Sequence, residues 1–150
     1  MKAQSNEYPV SLSITRNSEK NHVVLVDMNT VEEIETEDGK AYTYQQYQFN
    51  TPATNNYITA NESTLLEELK TKEYNDLANE IREKRNRLLA ESDKYMALDR
   101  LDLDTSSAIK FLASLKNIFN NSYAKYRQEL RDITNQPNFP YEVVFPTKPE

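Results

Sequence analysis

The sequence lacks cysteine, and it holds one glycine and one histidine among 150 residues. Without cysteine, disulfides, thiol nucleophiles and cysteine-ligated zinc or iron–sulfur sites are excluded. A single glycine cannot build the glycine-rich loops that bind phosphates, which removes the Walker A and dinucleotide-binding classes. The lone histidine, His22, is interpreted as a solvated turn residue, because general-base chemistry needs partners within hydrogen-bond reach.

Long apolar runs and an excess of positive charge are also missing. The longest aliphatic run, Val23–Val26, is far shorter than a membrane helix. The N-terminal residues show no apolar core of signal-peptide length. The net charge of −6 argues against nucleic-acid binding, because phosphate contacts need a basic surface. We therefore expect a soluble, unexported protein with neither nucleic acid nor membrane as a partner.

Alternating apolar residues in the first sixty positions predict antiparallel strands. The predicted strands are Val10–Thr15, Val23–Met28, Val31–Thr36 and Ala41–Phe49. Asp38-Gly39 lies between the last two and is typical of a two-residue hairpin turn, since glycine adopts positive φ at little cost. Residues 1–60 are therefore predicted to form a β-rich module.

The aromatic residues of the predicted strand Ala41–Phe49 divide between its two faces. They are Tyr42 and Tyr44 on one face and Tyr47 and Phe49 on the other. A bulge at Gln45-Gln46 would restore one apolar face. Without a bulge both faces are partly covered, one of them by a partner. The polar stretch Thr51–Glu62 then predicts a linker or loop.

Two long helices are predicted after this stretch. The first runs from Thr64 to Met96, with Thr64 and Glu67 as a capping box. Its apolar stripe consists of Leu66, Leu69, Leu77, Ile81 and Leu88. The second runs from Thr105 or Ser106 to Ile133, and its stripe is stronger. It consists of Ala108, Leu112, Leu115, Phe119, Tyr123, Tyr126, Leu130 and Ile133. This spacing is typical of an antiparallel helix pair or a coiled coil, and its breadth allows a second subunit.

Charged clusters on these segments are interpreted as solvated groups. Asp99, Asp102 and Asp104 lie in the connector Leu98–Asp104, where the EF-hand pattern fails because its glycine and its final glutamate are absent. The basic residues Arg82, Lys84, Arg85 and Arg87 alternate with glutamates. They predict a salt-bridged helix face rather than a nucleic-acid site.

The last residues predict an extended path set by prolines. Pro137 and Pro140 disfavour helix in the residues before them, and Tyr141–Phe145 is predicted as a short strand or extended run. The predicted fold class is α+β. A small N-terminal antiparallel β meander of hairpins precedes a long antiparallel helical hairpin in residues 61–150, which ends in an extended proline-rich tail.

Two segments together carry a resemblance to a known family. Residues 85–93 read Arg-Asn-Arg-Leu-Leu-Ala-Glu-Ser-Asp. Residues 126–133 read Tyr-Arg-Gln-Glu-Leu-Arg-Asp-Ile, followed by Phe139-Pro140 and the ending Val-Phe-Pro-Thr-Lys-Pro. This order resembles the C-terminal domain of bacteriophage tail assembly chaperones and tail-fibre assembly proteins. The resemblance covers about residues 80–150. Members often have tryptophan where this chain has Lys94 and Phe145.

The resemblance implies a non-enzymatic bacteriophage protein without cofactors. Such a protein assists assembly of the phage tail or tail fibres in the host cytoplasm by holding a tail or fibre protein. The alternative is a virion structural adaptor of the tail, baseplate or neck. An inhibitor of a host protein is a third, less favoured class.

Eight residues are predicted to bind a partner protein. They are Tyr44, Tyr47, Tyr126, Arg127, Arg131, Phe139, Tyr141 and Phe145. Arg127 and Arg131 could pair with Asp93 across the helical hairpin or with a partner's carboxylates. The C-terminal aromatic residues could anchor on their own helices or on the partner.

Overall fold

The computed structural model describes residues 1–17, 19–37, 39–96 and 103–149. The chain divides into two compact units, Met1–Lys72 and Glu73–Glu150. Each unit is described by itself below. The domain division predicted after residue 60 stays a prediction.

The N-terminal unit is built on a four-stranded antiparallel sheet, which confirms an α+β protein with an N-terminal antiparallel sheet. The strands are β1 (Lys2–Ser5), β2 (Leu12–Asn17), β3 (Lys20–Thr36) and β4 (Gly39–Thr51), in the order β1-β4-β3-β2. The two strands predicted at Val23–Met28 and Val31–Thr36 are one continuous strand, β3. The sequence did not predict β1.

The β3–β4 hairpin turns where the sequence predicted. Thr36 pairs with Gly39, and Gly39 has φ of +118°, a conformation that favours glycine over residues with a Cβ. The Thr36 hydroxyl donates to the Gly39 carbonyl at 2.8 Å. Asp38 lies outside the described residues, so the turn type predicted for Asp38-Gly39 stays a prediction.

The irregularity in this hairpin lies in β3, so the first of the two alternatives for β4, a bulge at Gln45-Gln46, is not what the structure has. Asp27 pairs with Gln45, but the next pair joins Glu32 to Thr43. The extra residues in β3 are held by Thr30. Its hydroxyl donates to the Asp27 carbonyl at 2.7 Å and accepts from the Gln45 amide at 2.8 Å. The Thr30 side chain thus replaces the backbone partner that the Gln45 amide lacks. The positions of the aromatic residues in β4 could not reveal this contact.

The core of the N-terminal unit packs against the sheet. On one face, Val23 and Leu25 are fully buried together with Ile58. Half-buried side chains pack around them: Leu12, Ile14, Phe49, Ala53, Leu65, Leu66 and Leu69. Elsewhere in the unit, the Tyr8 ring meets Tyr42 edge to face, with centroids 5.2 Å apart.

A short helix occupies the stretch predicted as a linker. Helix α1 (Asn55–Ala60) is capped by Thr54, whose hydroxyl accepts from the Tyr57 amide. Ile58, an apolar residue in this otherwise polar segment, is the residue that α1 buries. Helix α2 (Glu62–Asp93) begins two residues before the predicted start. Its first turn is closed by the Leu65 amide donating to the Asn61 carbonyl, so the predicted capping box at Thr64 is wrong.

One ion pair ties α2 to the sheet inside the N-terminal unit. The Lys70 ammonium lies 2.7 Å from Asp27 and 3.0 Å from Glu67. Asp27 is 6% exposed, and a carboxylate so far from water needs a partner. The hydrogen bond to Asp27, with a smaller contribution from Glu67, raises the pKa of Lys70 above its ordinary value of 10.5.

The C-terminal unit contains three further helical segments. They are α3 (Ala108–Phe119), α4 (Ser122–Arg131) and the 3₁₀ turn Asp132–Asn135. The single helix predicted up to Ile133 is therefore wrong. The break falls at Asn120 and Asn121, where the Asn121 side chain caps α4 by accepting from the Ala124 amide at 2.6 Å. Asparagine is favoured at such caps because its oxygen satisfies an unpaired helical N–H.

The core of the C-terminal unit joins α4 to the later part of α2. Tyr126, Leu130 and Ile133 are buried. The half-buried residues around them are Ile81, Leu88, Leu89, Tyr123, Val143 and Phe145. The predicted stripe is not one continuous buried seam, because Leu112 on α3 is 64% exposed. Of the connector aspartates, Asp99 and Asp102 lie outside the described residues.

Arg127 fastens α4 to the end of α2. One guanidinium nitrogen, Nη1, donates to the Leu89 carbonyl at 2.8 Å, the Ser92 hydroxyl at 2.6 Å and the Asp93 carboxylate at 2.6 Å. Ser92 is 1% exposed, and its hydroxyl also donates to the Leu89 carbonyl. Arg127 is therefore an internal structural group that pairs with Asp93, one of its two predicted partners.

Replacing Lys70 with methionine should destabilise the N-terminal unit by about 2 kcal/mol, because Asp27 loses a charged hydrogen bond. Urea unfolding at neutral pH measures this loss. Lys72→Met is the matched control, since Lys72 is exposed on the same helix, and its effect should stay within about 0.5 kcal/mol. Equal effects of the two substitutions would contradict the anchoring role of Lys70.

The stability that Lys70 contributes to the N-terminal unit should also disappear at high pH. A cation whose pKa is raised by folding stabilises fully below its unfolded pKa, and that stability is lost as pH rises through the folded pKa. The difference in unfolding free energy between wild type and Lys70→Met should therefore narrow above pH 10.5. A difference that stayed constant past that pH would show that packing, and not charge, explains the loss.

Arg127→Ala should destabilise the C-terminal unit by about 2 kcal/mol, since three acceptors lose their donor. Arg131→Ala is the matched control, because Arg131 is exposed one turn further along α4 and should matter by less than about 0.5 kcal/mol. Thermal and urea unfolding of the two variants measure the contrast. If Arg131→Ala cost as much as Arg127→Ala, the internal contacts of Arg127 would not explain its effect.

Candidate partner-binding surface of the C-terminal unit

The C-terminal segment, residues 136–149, is fixed by side chains rather than by strand pairing. The Gln136 side chain accepts from the Val144 amide and donates to the Val144 carbonyl, both at 2.8 Å. Gln136 itself has extended backbone, φ −65° and ψ 142°, as expected before Pro137. Residues Tyr141–Phe145 were predicted as a short strand or an extended run. They do not form a strand, because Val144 has its hydrogen-bond partners on the Gln136 side chain.

The end of the C-terminal segment is held by the tyrosines of α4 and the end of α2. The Tyr123 hydroxyl donates to the Pro149 carbonyl at 3.0 Å, and its ring stacks on Tyr95 with centroids 4.1 Å apart. Burial raises the pKa of Tyr126, so this ring stays neutral. The segment therefore docks on its own unit.

An aromatic patch lies where this segment meets α2. The rings of Phe139 and Tyr141 meet Tyr74 edge to face, with centroids 6.5 and 6.3 Å apart. The Arg82 guanidinium lies 5.7 Å from the centroid of Phe139. We define the aromatic patch as Tyr74, Arg82, Phe139 and Tyr141. Tyr141 is 60% exposed and Tyr74 is 41% exposed, so the patch presents ring surface and one cation to solvent.

Two residues of the predicted basic cluster on α2, Arg82 and Lys84, contact aromatic rings instead of glutamates. Arg82 lies over Phe139, and the Lys84 ammonium lies 4.1 Å from the centroid of Phe145. Arg85 donates to the side chain of Asn86. None of the ion pairs found in the described part of the chain includes these cations. Cation–π contacts of this kind contribute roughly 0.5–1 kcal/mol each at exposed sites.

The predicted partner-binding residues lie in very different environments. Tyr126 is buried and Arg127 is tied to α2, whereas Arg131 is exposed. Phe139 is half-buried and Tyr141 exposed in the aromatic patch, and Phe145 packs on the C-terminal core. Tyr44 and Tyr47 are half-buried in β4 of the N-terminal unit. Contact of any of them with a partner stays a prediction.

Sequence reasoning did not find Tyr74. Tyr74 follows Glu73 and lies beside the apolar stripe of α2, not on it. A large aromatic residue next to an apolar stripe was the signal in the sequence that could have pointed to this residue. The segment that meets it is more than sixty residues away in sequence. Periodicity within one helix could not bring the two together.

Metal-ligating side chains do not gather in the part of the chain that the structure describes. No group of three histidine, aspartate or glutamate side chains there is placed to hold a metal ion. His22 lies in β3, where its Nδ1 is 3.1 Å from the Asn50 side-chain oxygen.

Among the described helices, none has the length and apolar character needed to cross a membrane.

Comparison with known families gives one finding. Residues 78–150 match the family model of the phage tail assembly chaperone protein. No curated protein matches the chain, and no solved structure matches it. The matched range falls within the C-terminal unit, Glu73–Glu150. The match confirms the resemblance noted in the sequence. From residue 78 to residue 150, then, this chain is similar to the phage tail assembly chaperone family, which supports a role in assembling phage tails.

Proposed function

We propose that this protein assists assembly of the phage tail or tail fibres by binding a tail or fibre protein, without catalysing a reaction. The observation that carries the proposal is the match of residues 78–150 to the phage tail assembly chaperone family. The matched residues include the core of the C-terminal unit, its Arg127 tie and most of the aromatic patch.

We place the contact with the tail or fibre protein on the aromatic patch. Tyrosine and arginine dominate the binding energy of protein interfaces, because they offer large area and hydrogen bonds at low entropic cost. The rings of Tyr74 and Tyr141 hold each other edge to face, so little motion is lost on binding. Arg82 adds a guanidinium that can pair with a partner's carboxylate.

Exposed Arg131 is a second contact in this proposal. It lies in the last turn of α4, and its guanidinium can take a carboxylate bidentately. Arg127 is left out of the contact, because its donor already serves three internal acceptors. The arginine pair predicted from the sequence thus separates into one structural residue and one available for a partner.

Two roles are compatible with such a surface. The protein is either a transient chaperone in the host cytoplasm or an adaptor that stays in the virion tail. We favour the chaperone, because the matched family is described as a phage tail assembly chaperone protein. Mass spectrometry of purified particles separates the two. Absence of the chain from particles supports the chaperone, and one or more copies per tail would instead assign it to the adaptor class.

Tyr141→Ala should weaken capture of the tail or fibre protein at least about tenfold, the typical cost of losing a hot-spot aromatic residue. The measurement is quantitative mass spectrometry of proteins that copurify with the tagged full chain from cells in which the phage is assembling. Tyr57→Ala is the matched control, because Tyr57 is 56% exposed on α1 of the N-terminal unit.

Thermal unfolding of both variants should match wild type, which would exclude a folding defect. If both substitutions reduced capture of the tail or fibre protein equally, the aromatic patch would not be the binding surface. Capture of host proteins alone, by the wild-type chain, would overturn the tail-assembly role itself.

A further inference from the structure

The outer half of the β3–β4 hairpin has an open edge. Residues Glu32–Thr36 of β3 pair with Gly39–Thr43 of β4 on one side. On the other side, the pairing of β2 with β3 ends at Leu25, and one further bond joins the Val26 amide to the Ser11 carbonyl at 2.8 Å. No described strand therefore lies beside residues 32–36 on the β2 side of the sheet. We call this the arm edge.

Backbone hydrogen bonds of β4 determine which backbone groups point out of the arm edge. Gln46 exchanges two bonds with Met1, at 2.9 and 3.1 Å, so Gln46 points toward β1. Backbone direction alternates along an antiparallel strand, so Thr43 and Ala41 point toward β3. The backbone N–H and C=O groups of their partners, Glu32 and Ile34, therefore point toward β4. The N–H and C=O groups of Glu33 and Glu35 point outward.

The side chains along the arm edge are strongly acidic. Four of the six residues at positions 32–37 are glutamates: Glu32, Glu33, Glu35 and Glu37. All four are exposed. Lys40, on the opposite strand, pairs with Glu33 at 2.5 Å and offsets one of these charges. Glu33 and Glu35 lie on the same face of the strand, since side chains alternate.

We propose that the arm edge binds a basic, extended segment of another protein as an added β-strand. The outward amide and carbonyl groups of Glu33 and Glu35 would supply the main-chain hydrogen bonds that such strand addition uses. Lysine or arginine at alternate positions of the incoming strand would lie opposite these two carboxylates, which favours pairing. The edge spans five residues, about 17 Å at the usual rise per residue.

The same charges select against a second copy of this chain. Two arm edges brought together would place glutamates opposite glutamates, and like charges directly across a sheet are destabilising. Charged residues on edge strands are also a general protection against aggregation. Protection alone predicts that the edge rejects every strand, whereas our proposal predicts that it accepts basic ones.

This inference is independent of the tail-assembly proposal. The arm edge lies in the N-terminal unit, outside the matched residues 78–150, and outside the aromatic patch. It assigns the N-terminal unit an interaction surface of its own.

The test is an NMR titration of the full chain with a synthetic peptide of three Lys-Val repeats. We expect the amides of Glu33 and Glu35 to become protected from hydrogen exchange by about tenfold or more on binding. The Ile34 amide should change little, because it already faces β4. The affinity should fall as salt is added, since the attraction is between exposed charges. A matched peptide of three Glu-Val repeats is the control and should not bind.

Two variants separate the backbone and charge contributions. Glu35→Pro removes an outward N–H, which an edge strand tolerates, and should abolish protection by the Lys-Val peptide. If Glu35→Pro unfolds the arm, the double variant Glu33→Lys with Glu35→Lys replaces it. The double variant should reverse the charge preference of the arm edge, so that it binds the Glu-Val peptide and not the Lys-Val peptide.

Three results would overturn the proposal. The first is no protection of Glu33 and Glu35 at millimolar Lys-Val peptide. The second is equal binding of the Lys-Val and Glu-Val peptides. The third is protection that appears without peptide and grows with protein concentration, which would assign the arm edge to a second copy of the chain.

Discussion

The C-terminal unit depends on the Arg127 guanidinium. A single nitrogen joins α4 to the Leu89 carbonyl, the Ser92 hydroxyl and the Asp93 carboxylate at the end of α2. With α4 held there, Leu130 and Ile133 close the core, and Val143 and Phe145 of the C-terminal segment pack onto it. That packing places Phe139 and Tyr141 beside Tyr74. The proposed binding surface is thus a consequence of the Arg127 tie.

A helix cation also meets a carboxylate in the N-terminal unit, where Lys70 reaches Asp27. The two pairs differ in exposure. Asp27 is 6% exposed, whereas the Asp93 side chain is 67% exposed. The stability contributed by Lys70 therefore comes from sparing a buried charge, and that of Arg127 comes mainly from its contacts with Ser92 and the Leu89 carbonyl. Each unit secures a helix in this way and leaves a different surface available, the arm edge in one and the aromatic patch in the other.

The sequence predicted the features that depend on local pattern, and it missed those that depend on distant partners. Alternation predicted most of the sheet, and Gly39 placed the hairpin. Ile58 alone could not reveal α1 in a polar stretch. The apolar spacing continues across Asn120 and Asn121, so only the cap of α4 exposes the break in the predicted helix. The motifs at residues 85–93 and 126–133 carry the resemblance to the family that residues 78–150 match, but the choice of Asp93 as the partner of Arg127 needed the structure.

The central claim is that the aromatic patch receives a tail or fibre protein during phage assembly. Site-specific photo-crosslinking tests it most directly, with a photoreactive phenylalanine analogue at position 141 of the full chain and at position 57 as control. In cells that are assembling the phage, we expect position 141 to crosslink to a tail or fibre protein and position 57 not to do so. Crosslinks to that protein from position 57 alone would contradict the account.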